Sequence, residues 1–304
     1  MPTRVRAHRI STSHAVRYWV DETCWAELPD ADPRVESRLV GADGWATRAR
    51  LHRGLSQDDQ RCLDGLLDLF TDHGLAVAHP CRQPLASLQV AVIGSGQLAR
   101  HLTQGLLRSG IPRLDCHDPS PPDPHVWPGS RHSTGGAALA RWLRPRNGQR
   151  VRSIDEVAEL ADQGTQLVLV APDRAEADRM VLDQLVRHDL PHLVLGCHGE
   201  VGRIGPLVLT GRSPCMTCHD LARTQGDPQW PQVLARLMGL PAQPDASVAS
   251  AVAARAVLEV GWLLRSLDNA ARLEGHVEMI DLQHPQSRSV DFTHHPDCGC
   301  CWRP

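Results

Sequence analysis

Residues 88–118 read LQVAVIGSGQLARHLTQGLLRSGIPRLDCHD. A short apolar run ends at Ile93 and meets a glycine loop, Gly94-Ser95-Gly96, continued by Gln97-Leu98-Ala99. An amphipathic stretch follows, and a second short strand closes on Asp118. Strand, glycine loop, helix, strand is the opening of a βαβ nucleotide-binding unit. Glycines at that turn let a backbone approach a phosphate, and the helix that follows offers unpaired N–H donors. Asp118 at the end of the second strand is placed to accept hydrogen bonds from a ribose. The same loop also serves any tight strand-to-helix turn, so its place in a doubly wound sheet is what raises the nucleotide reading.

Downstream, the alternation continues. SPPDPHVWPGS (120–130) is a proline-rich loop and TGGAALARWLRP (134–145) reads as a helix. QLVLVAP (166–172) is a continuous apolar run and so a strand buried on both faces. RAEADRMVLDQLVRHDL (174–190) reads as a helix and PHLVLGCHG (191–199) as the next strand. DPQWPQVLARLMG (227–239) and DASVASAVAARAVLEVGWLLRSL (245–267) are helical, and HVEMIDLQHPQSRSVDFTH (276–294) reads as a hairpin. Strands alternating with helices imply an α/β fold with a doubly wound, mostly parallel, Rossmann-like sheet. Asp173 stands just beyond a strand's carboxyl end, on the same crevice as the glycine loop. There it could hold Mg²⁺ or orient a phosphate, or simply cap the helix that follows.

Two Cys-x-x-Cys pairs lie outside this alternation: Cys215 with Cys218, and Cys298 with Cys301. Zinc prefers tetrahedral thiolate coordination, and a closed site of four cysteines is structural. Cys300 lies between the last two and could replace either, and His219, His294 and His295 are near enough in sequence to substitute. The competing reading is a redox dithiol, which works as a single pair. Cys197, at a strand end, is a candidate nucleophile or a buried structural thiol. Trp230 and Trp302 suit either a core or an interface.

The first 86 residues form a separate stretch. Ser56 followed by Asp59 resembles a capping box. Cys62, Leu63, Leu66, Leu67 and Phe70 then recur at helical spacing. Gly74 ends the helix and Leu75-Ala76-Val77 returns as a short strand, an order compatible with a winged-helix-like α+β module or a small α+β cap. The expected division is therefore 1–86 and 87–304.

Composition bounds the function. The chain of 304 residues is 41% hydrophobic and 22% charged, as a globular protein is. A net charge of −3 gives no reason to expect nucleic-acid or membrane-surface binding. No uncharged apolar run of membrane-spanning length occurs, and the N-terminus lacks a signal-peptide core. Ten cysteines without an export signal point to a reducing cytoplasm. All 32 basic residues are arginine, so any site that ordinarily uses lysine must use arginine or nothing.

Taken in order, the glycine loop, Asp118, LVLVAPDR, PHLVLGCHGEVGRIGPLVL, SPCMTC, SVASAVAARAVLEVGWLL and CGCC resemble the ThiF family, over about residues 87–302. That family includes ubiquitin-activating enzymes, ThiF of thiamine biosynthesis and molybdopterin-synthase adenylyltransferase. The resemblance implies a structural zinc on Cys215, Cys218, Cys298 and Cys301, a homodimer, and Mg-ATP bound by Gly94, Gly96, Asp118 and Asp173. Asp173 would be the catalytic acid in adenylating the C-terminal carboxylate of a peptide or small carrier protein. The family's G-x-G-G-x-G loop departs here, with Gln97 and Ala99 in place of later glycines. Its N-L-x-R-Q motif is replaced by PSPPDPHVWPGSR (119–131), and its phosphate-binding lysine has only Arg131 as a stand-in. PCMTCHDLARTQGDPQWPQVLARL and HHPDCGCCW look closest to ThiF-like partners of YcaO cyclodehydratases in azole- and azoline-modified peptide biosynthesis. There a winged-helix-like N-terminal module captures the leader of the precursor peptide by strand addition. The expectation is a precursor-peptide-binding component with an eroded ATP site, and the alternative is an active adenylyltransferase.

Overall fold

The computed structural model describes residues 3–5, 7–11, 15–28, 32–42, 48–78, 88–145, 148–263, 272–284 and 288–300. The chain divides into two compact units, 1–82 and 83–304.

The first unit opens with β1 (Thr3–Val5), followed by the antiparallel meander β2 (His8–Ser11), β3 (Val16–Asp21) and β4 (Cys24–Leu28). Helices α1 (Pro33–Val40), α2 (Arg48–Leu51) and α3 (Gln57–Asp72) follow, and β5 (Ala76–Ala78) pairs antiparallel with β1. Asp32 caps α1 by accepting from Arg34 N, and Ser56 caps α3 by accepting from Asp59 N at 3.2 Å. Gly74, with φ +72°, turns the chain out of α3 as expected. Alternation along β3 sends Tyr18 inward, where its ring meets Phe70 edge-on at 5.0 Å. Leu39, Leu63 and Leu67 complete this core, each fully buried and contributing roughly 1.5–3 kcal/mol of burial. Cys62, by contrast, is exposed.

The second unit is built on one eight-stranded sheet. Its strands in chain order are β6 (Gln89–Ile93), β7 (Arg113–His117), β8 (Arg150–Ser153), β9 (Leu167–Val170), β10 (His192–His198), β11 (Val201–Val208), β12 (His276–Asp281) and β13 (Arg288–Asp291). They lie side by side as β13-β12-β11-β10-β9-β6-β7-β8. β8, β7, β6, β9 and β10 run parallel, and β11, β12 and β13 add antiparallel strands. The strand order reverses between β6 and β9, so the topological switch point lies there.

Helix α4 (Gln97–Arg108) follows β6; α5 (Gly135–Trp142), α6 (Ala158–Asp162) and α7 (Arg179–Arg187) connect the parallel strands; α8 (Met216–Gly226), α9 (Trp230–Gly239) and α10 (Ala246–Leu263) follow β11. α10 seats directly on the sheet: a Cβ at Gly202 of β11 would lie 2.3 Å from Val252 Cγ2. α4 packs beside it, and a Cβ at Gly105 would come within 2.8 Å of Val257 Cγ2. No helix among the described residues is long and apolar enough to cross a membrane.

One expected helix is shorter than its sequence suggests. α7 begins at Arg179, with Asp178 as its cap, and 174–178 are loop. Glu176 is drawn out of the helical path to pair with Arg203 and Arg179. A buried carboxylate held by two guanidiniums outweighs the helix propensity of that short stretch.

Candidate functional site

The switch point brings together the glycine loop, Asp118 and Asp173. Gly94 leaves β6 with φ +113°, and a Cβ there would fall 2.0 Å from Ala171 O. Only glycine fits that position. Ser95 and Gly96 then present their N–H groups at the start of α4. Both are occupied by the chain itself: Gly96 N donates to Asp173 Oδ1 at 2.5 Å, and Ser95 N donates to Asp173 Oδ2 at 3.2 Å. A Cβ on Gly96 would lie 2.1 Å from Asp173 Oδ1, so the carboxylate sits flush against the loop.

Asp118 closes the other side. Ser95 Oγ donates to Asp118 Oδ2 at 2.6 Å and stands 3.3 Å from Asp173 Oδ2, so one hydroxyl lies between two carboxylates. Burial, and then the charge of Asp118, push the Asp173 carboxyl up to about 6, while the N–H groups of Gly96 and Ser95 pull it the other way. Asp118 Oδ1 also accepts from Ser120 N at 3.0 Å.

The proline-rich loop packs onto this site. Trp127 is buried and its Nε1 donates to Ser95 O at 3.0 Å. The N-terminus of α5 comes close enough that a Cβ at Gly135 would lie 2.2 Å from Ser95 Oγ and 2.6 Å from Asp118 Oδ2. Arg100, on the first turn of α4, lies over Trp127 at 5.0 Å and over Trp142 at 4.5 Å. Arg131 is exposed and does not line the crevice. The crevice has a volume of about 590 Å³ and is bordered by Gly96, Gln97, Asp173 and Cys197. Cys197 is buried, and burial pushes its thiol up to about 12, the state of an inert structural thiol.

Nothing in the sequence distinguishes Arg100 from the other arginines, and Ser95 and Trp127 carry only loop signals there. A serine between two loop glycines, with aspartates at two neighbouring strand ends, was the available signal for Ser95. The donor set does not fit a nucleotide triphosphate as the side chains stand. The loop N–H groups are spent on Asp173, and Arg100 lies against the indoles of Trp127 and Trp142. The two aspartates do suit a hard divalent cation.

The second constellation is a cluster of four thiols. Sγ of Cys215, Cys218, Cys298 and Cys300 all lie within 4.8 Å of one another. Cys215 and Cys298 are 3.4 Å apart, as are Cys218 and Cys300. A tetrahedral ion with bonds near 2.3 Å needs S–S edges of roughly 3.8 Å, so this donor set could hold one. Burial pushes the Cys298 thiol up, and the neighbouring Cys215 and Cys218 add to that. Four adjacent thiolates are therefore stable only around a cation. Gly299, with φ +69°, turns the chain so that Cys300 joins Cys298 after a single residue. Cys301, the ligand expected from the Cys-x-x-Cys spacing, lies outside the described residues, as does Trp302. His219, His294 and His295 are not in the cluster. Trp230 is a core residue, 3% exposed.

Neither the family models nor the curated proteins match this sequence. Solved structures do. Escherichia coli MccB with AMPCPP and selenomethionine MccA superposes with a TM-score of 0.62 at 14% identity, over 99% of this chain and 100% of that one. The chain has the fold of MccB. The microcin C7 biosynthetic enzyme MccB in complex with N-formylated MccA gives the same TM-score, identity and coverage. The heterocyclase TruD matches with a TM-score of 0.56 at 14% identity, over 99% of this chain and 42% of TruD. At 14% identity these matches establish the fold.

Proposed function

We propose that the chain is a ThiF-type protein that binds a precursor peptide in azole or azoline peptide biosynthesis and presents it to a YcaO-type cyclodehydratase. The observation that carries this reading is the self-occupied glycine loop. Asp173 takes the N–H donors that a phosphate would need, the chain has no lysine, and no arginine among the described residues lines the crevice. Phosphoryl transfer depends on such donors, and one well-placed donor is worth roughly 10²–10³ in rate. The fold neighbours add support: MccB is a microcin C7 biosynthetic enzyme, solved in complex with N-formylated MccA, and TruD is a heterocyclase of which this fold covers 42%.

The N-terminal unit offers a place for the leader. β4 has no strand partner on its outer edge among the described residues, so its backbone is open to strand addition. Cys62 and Leu69 are exposed on one side of α3, Leu69 at 44%, and flank Leu66, which packs partly against the core. Cys24 Sγ reaches His73 O at 3.2 Å, which sets the start of β4 beside the end of α3. The edge and this side of α3 together suit an extended peptide with alternating apolar residues. In this reading residues 1–86 are the leader-recognition module and 87–304 the ThiF-like body. Zinc on Cys215, Cys218, Cys298 and Cys300 is structural, and the protein works in the cytoplasm as a homodimer.

Candidate precursor peptides would be titrated against the full chain by fluorescence anisotropy, with Leu69→Arg as the control. Micromolar or tighter binding lost in the variant, with no ATP–pyrophosphate exchange, is the expected result. Exchange stimulated by a cognate peptide would overturn the reading in favour of the alternative, an active adenylyltransferase with Asp173 on Mg²⁺.

A further inference from the structure

A second cavity lies on the other face of the sheet. Gly202 of β11 faces Val252 of α10, so alternation along the strand directs Val201, Arg203 and Gly205 to the opposite side. There β10 to β13 and helices α8 and α9 enclose about 540 Å³, a volume in the range of small-molecule sites. One wall is apolar, made by Val194, Val277, Met279 and Val290. The other is charged.

Glu176, 4% exposed, pairs with Arg203 on one oxygen and accepts from Arg179 Nη2 at 3.1 Å on the other. Arg179 also reaches Asp220, through Nε at 2.7 Å and Nη2 at 3.1 Å. Arg203 Nη2 is completed by Ala175 O at 2.8 Å. Three guanidiniums, those of Arg179, Arg203 and Arg223, therefore face two carboxylates. The surplus charge sits on Arg223. Its guanidinium lies 3.4 Å from the centroid of the Trp230 ring and has no carboxylate within ion-pair distance among the described residues. His219 lines the same cavity and is nine-tenths buried, yet its Nδ1 has no hydrogen-bond partner; Asp220 Oδ1 stands 4.0 Å away. A buried polar atom without a partner is costly unless something supplies one.

We propose that this cavity binds an apolar chain ending in a single carboxylate, with the carboxylate at Arg223 and His219 and the chain along Val194, Val277, Met279 and Val290. One unneutralised guanidinium suits a monoanion, and the long apolar wall suits an aliphatic body rather than a sugar or a nucleotide. None of these residues belongs to the glycine loop or to the N-terminal unit, so the inference stands apart from the function proposed above. The carboxylate could belong to a free carboxylic acid or to the apolar C-terminal residue of a peptide.

The test is calorimetry on the full, metal-replete chain with two probe pairs: decanoate against decanol, and N-acetyl-leucyl-leucine against its C-terminal amide. At least one acid is expected to bind at least tenfold more tightly than its neutral counterpart. Arg223→Gln is expected to abolish that preference. Val290→Asp, at a site 43% exposed where a new carboxylate is tolerated by the fold, is expected to weaken the acid selectively. Circular dichroism would confirm that both variants are folded. Binding of decanoate alone identifies a free acid, and binding of the dipeptide acid alone identifies a peptide terminus. The proposal is overturned if neither acid binds at millimolar concentration, if neutral and acidic probes bind alike, or if both variants bind like the parent.

Discussion

Replacing Asp173 by alanine should change nucleotide binding in a direction that separates the two functional readings. In the native loop, Asp173 accepts from Gly96 N at 2.5 Å and from Ser95 N at 3.2 Å. A phosphate that claimed those donors would displace the carboxylate and bring like charge to within about 4 Å of it. At an effective dielectric near 20 that repulsion is about 4 kcal/mol, and screening by salt brings it to roughly 2–4 kcal/mol. Asp173→Ala removes the repulsion and frees both donors. For a self-occupied loop, the affinity of ATP measured in EDTA should therefore rise by roughly 30- to 1,000-fold, starting from no detectable binding at millimolar concentration. Calorimetry with ATP in EDTA and then in Mg²⁺, on parent and variant, reads this directly. If the parent binds Mg-ATP and the substitution abolishes it, Asp173 is a metal ligand, the contact with the loop is only a resting arrangement, and the reasoning fails.

Three further outcomes are expected. Metal analysis should find one zinc per chain; Cys300→Ser and Cys218→Ser should each lose it and lower the unfolding midpoint, and a chelator should do the same to the parent. Gly94→Ala should cost more than about 2 kcal/mol, because the new Cβ meets Ala171 O at 2.0 Å, whereas Gly110→Ala, also at positive φ but with nothing within 4 Å, should cost about 1 kcal/mol in urea unfolding. The Asp173 carboxyl titrates at about 6 in the fold against 3.8 for an unperturbed aspartate, so the folded chain holds the extra proton between those values. Stability must then fall as pH rises through that window, by up to roughly 3 kcal/mol, and the difference in unfolding free energy between Asp173→Asn and the parent should grow over the same range and level off above it. A difference that stays flat with pH would show that Asp173 is not held in this environment.

The parts of the fold that were legible in the sequence are those whose signals are local. The run into Gly94, the amphipathic α4 and the continuous apolar β9 each state their own structure, and together they place Asp118 and Asp173 at neighbouring strand ends. β11 was not legible as a strand, because Gly202, Gly205 and Pro206 interrupt it. Gly202 is there for α10, a partner some 50 residues away in sequence. The meander of β2, β3 and β4 was missed for a similar reason: its strands are short and alternate charged residues with tryptophans, and their pairing is set by the core around Tyr18 and Phe70. Which arginine stands near the glycine loop depended on the path of a proline-rich loop, so Arg131 was the natural choice and Arg100 the one found. The thiol cluster was legible as a group, with Cys300 an open alternative for its last member; the positive φ of Gly299 brings Cys300 beside Cys298, and Cys301 lies outside the described residues.

The proline-rich loop has a packing role beside the glycine loop, and Arg100 is part of that packing. Trp127 is tied to Ser95 O and meets Trp142 edge-on at 5.8 Å, and the Arg100 guanidinium lies against both indoles. The guanidinium retains its charge there, and its Nη1 donates to Val126 O at 3.3 Å. To reach a phosphate it would have to leave two aromatic faces, at a cost of roughly 1–2 kcal/mol or more, before making any new contact. Asp118 and Asp173 face no such competition, since backbone N–H groups and one serine hydroxyl satisfy them where they stand. In the function proposed above, a crevice whose anions are fixed in this way disfavours a nucleotide, which the Asp173→Ala titration tests. What remains is a hydrogen-bonded strand-end platform, the feature on which the peptide-binding function proposed above rests.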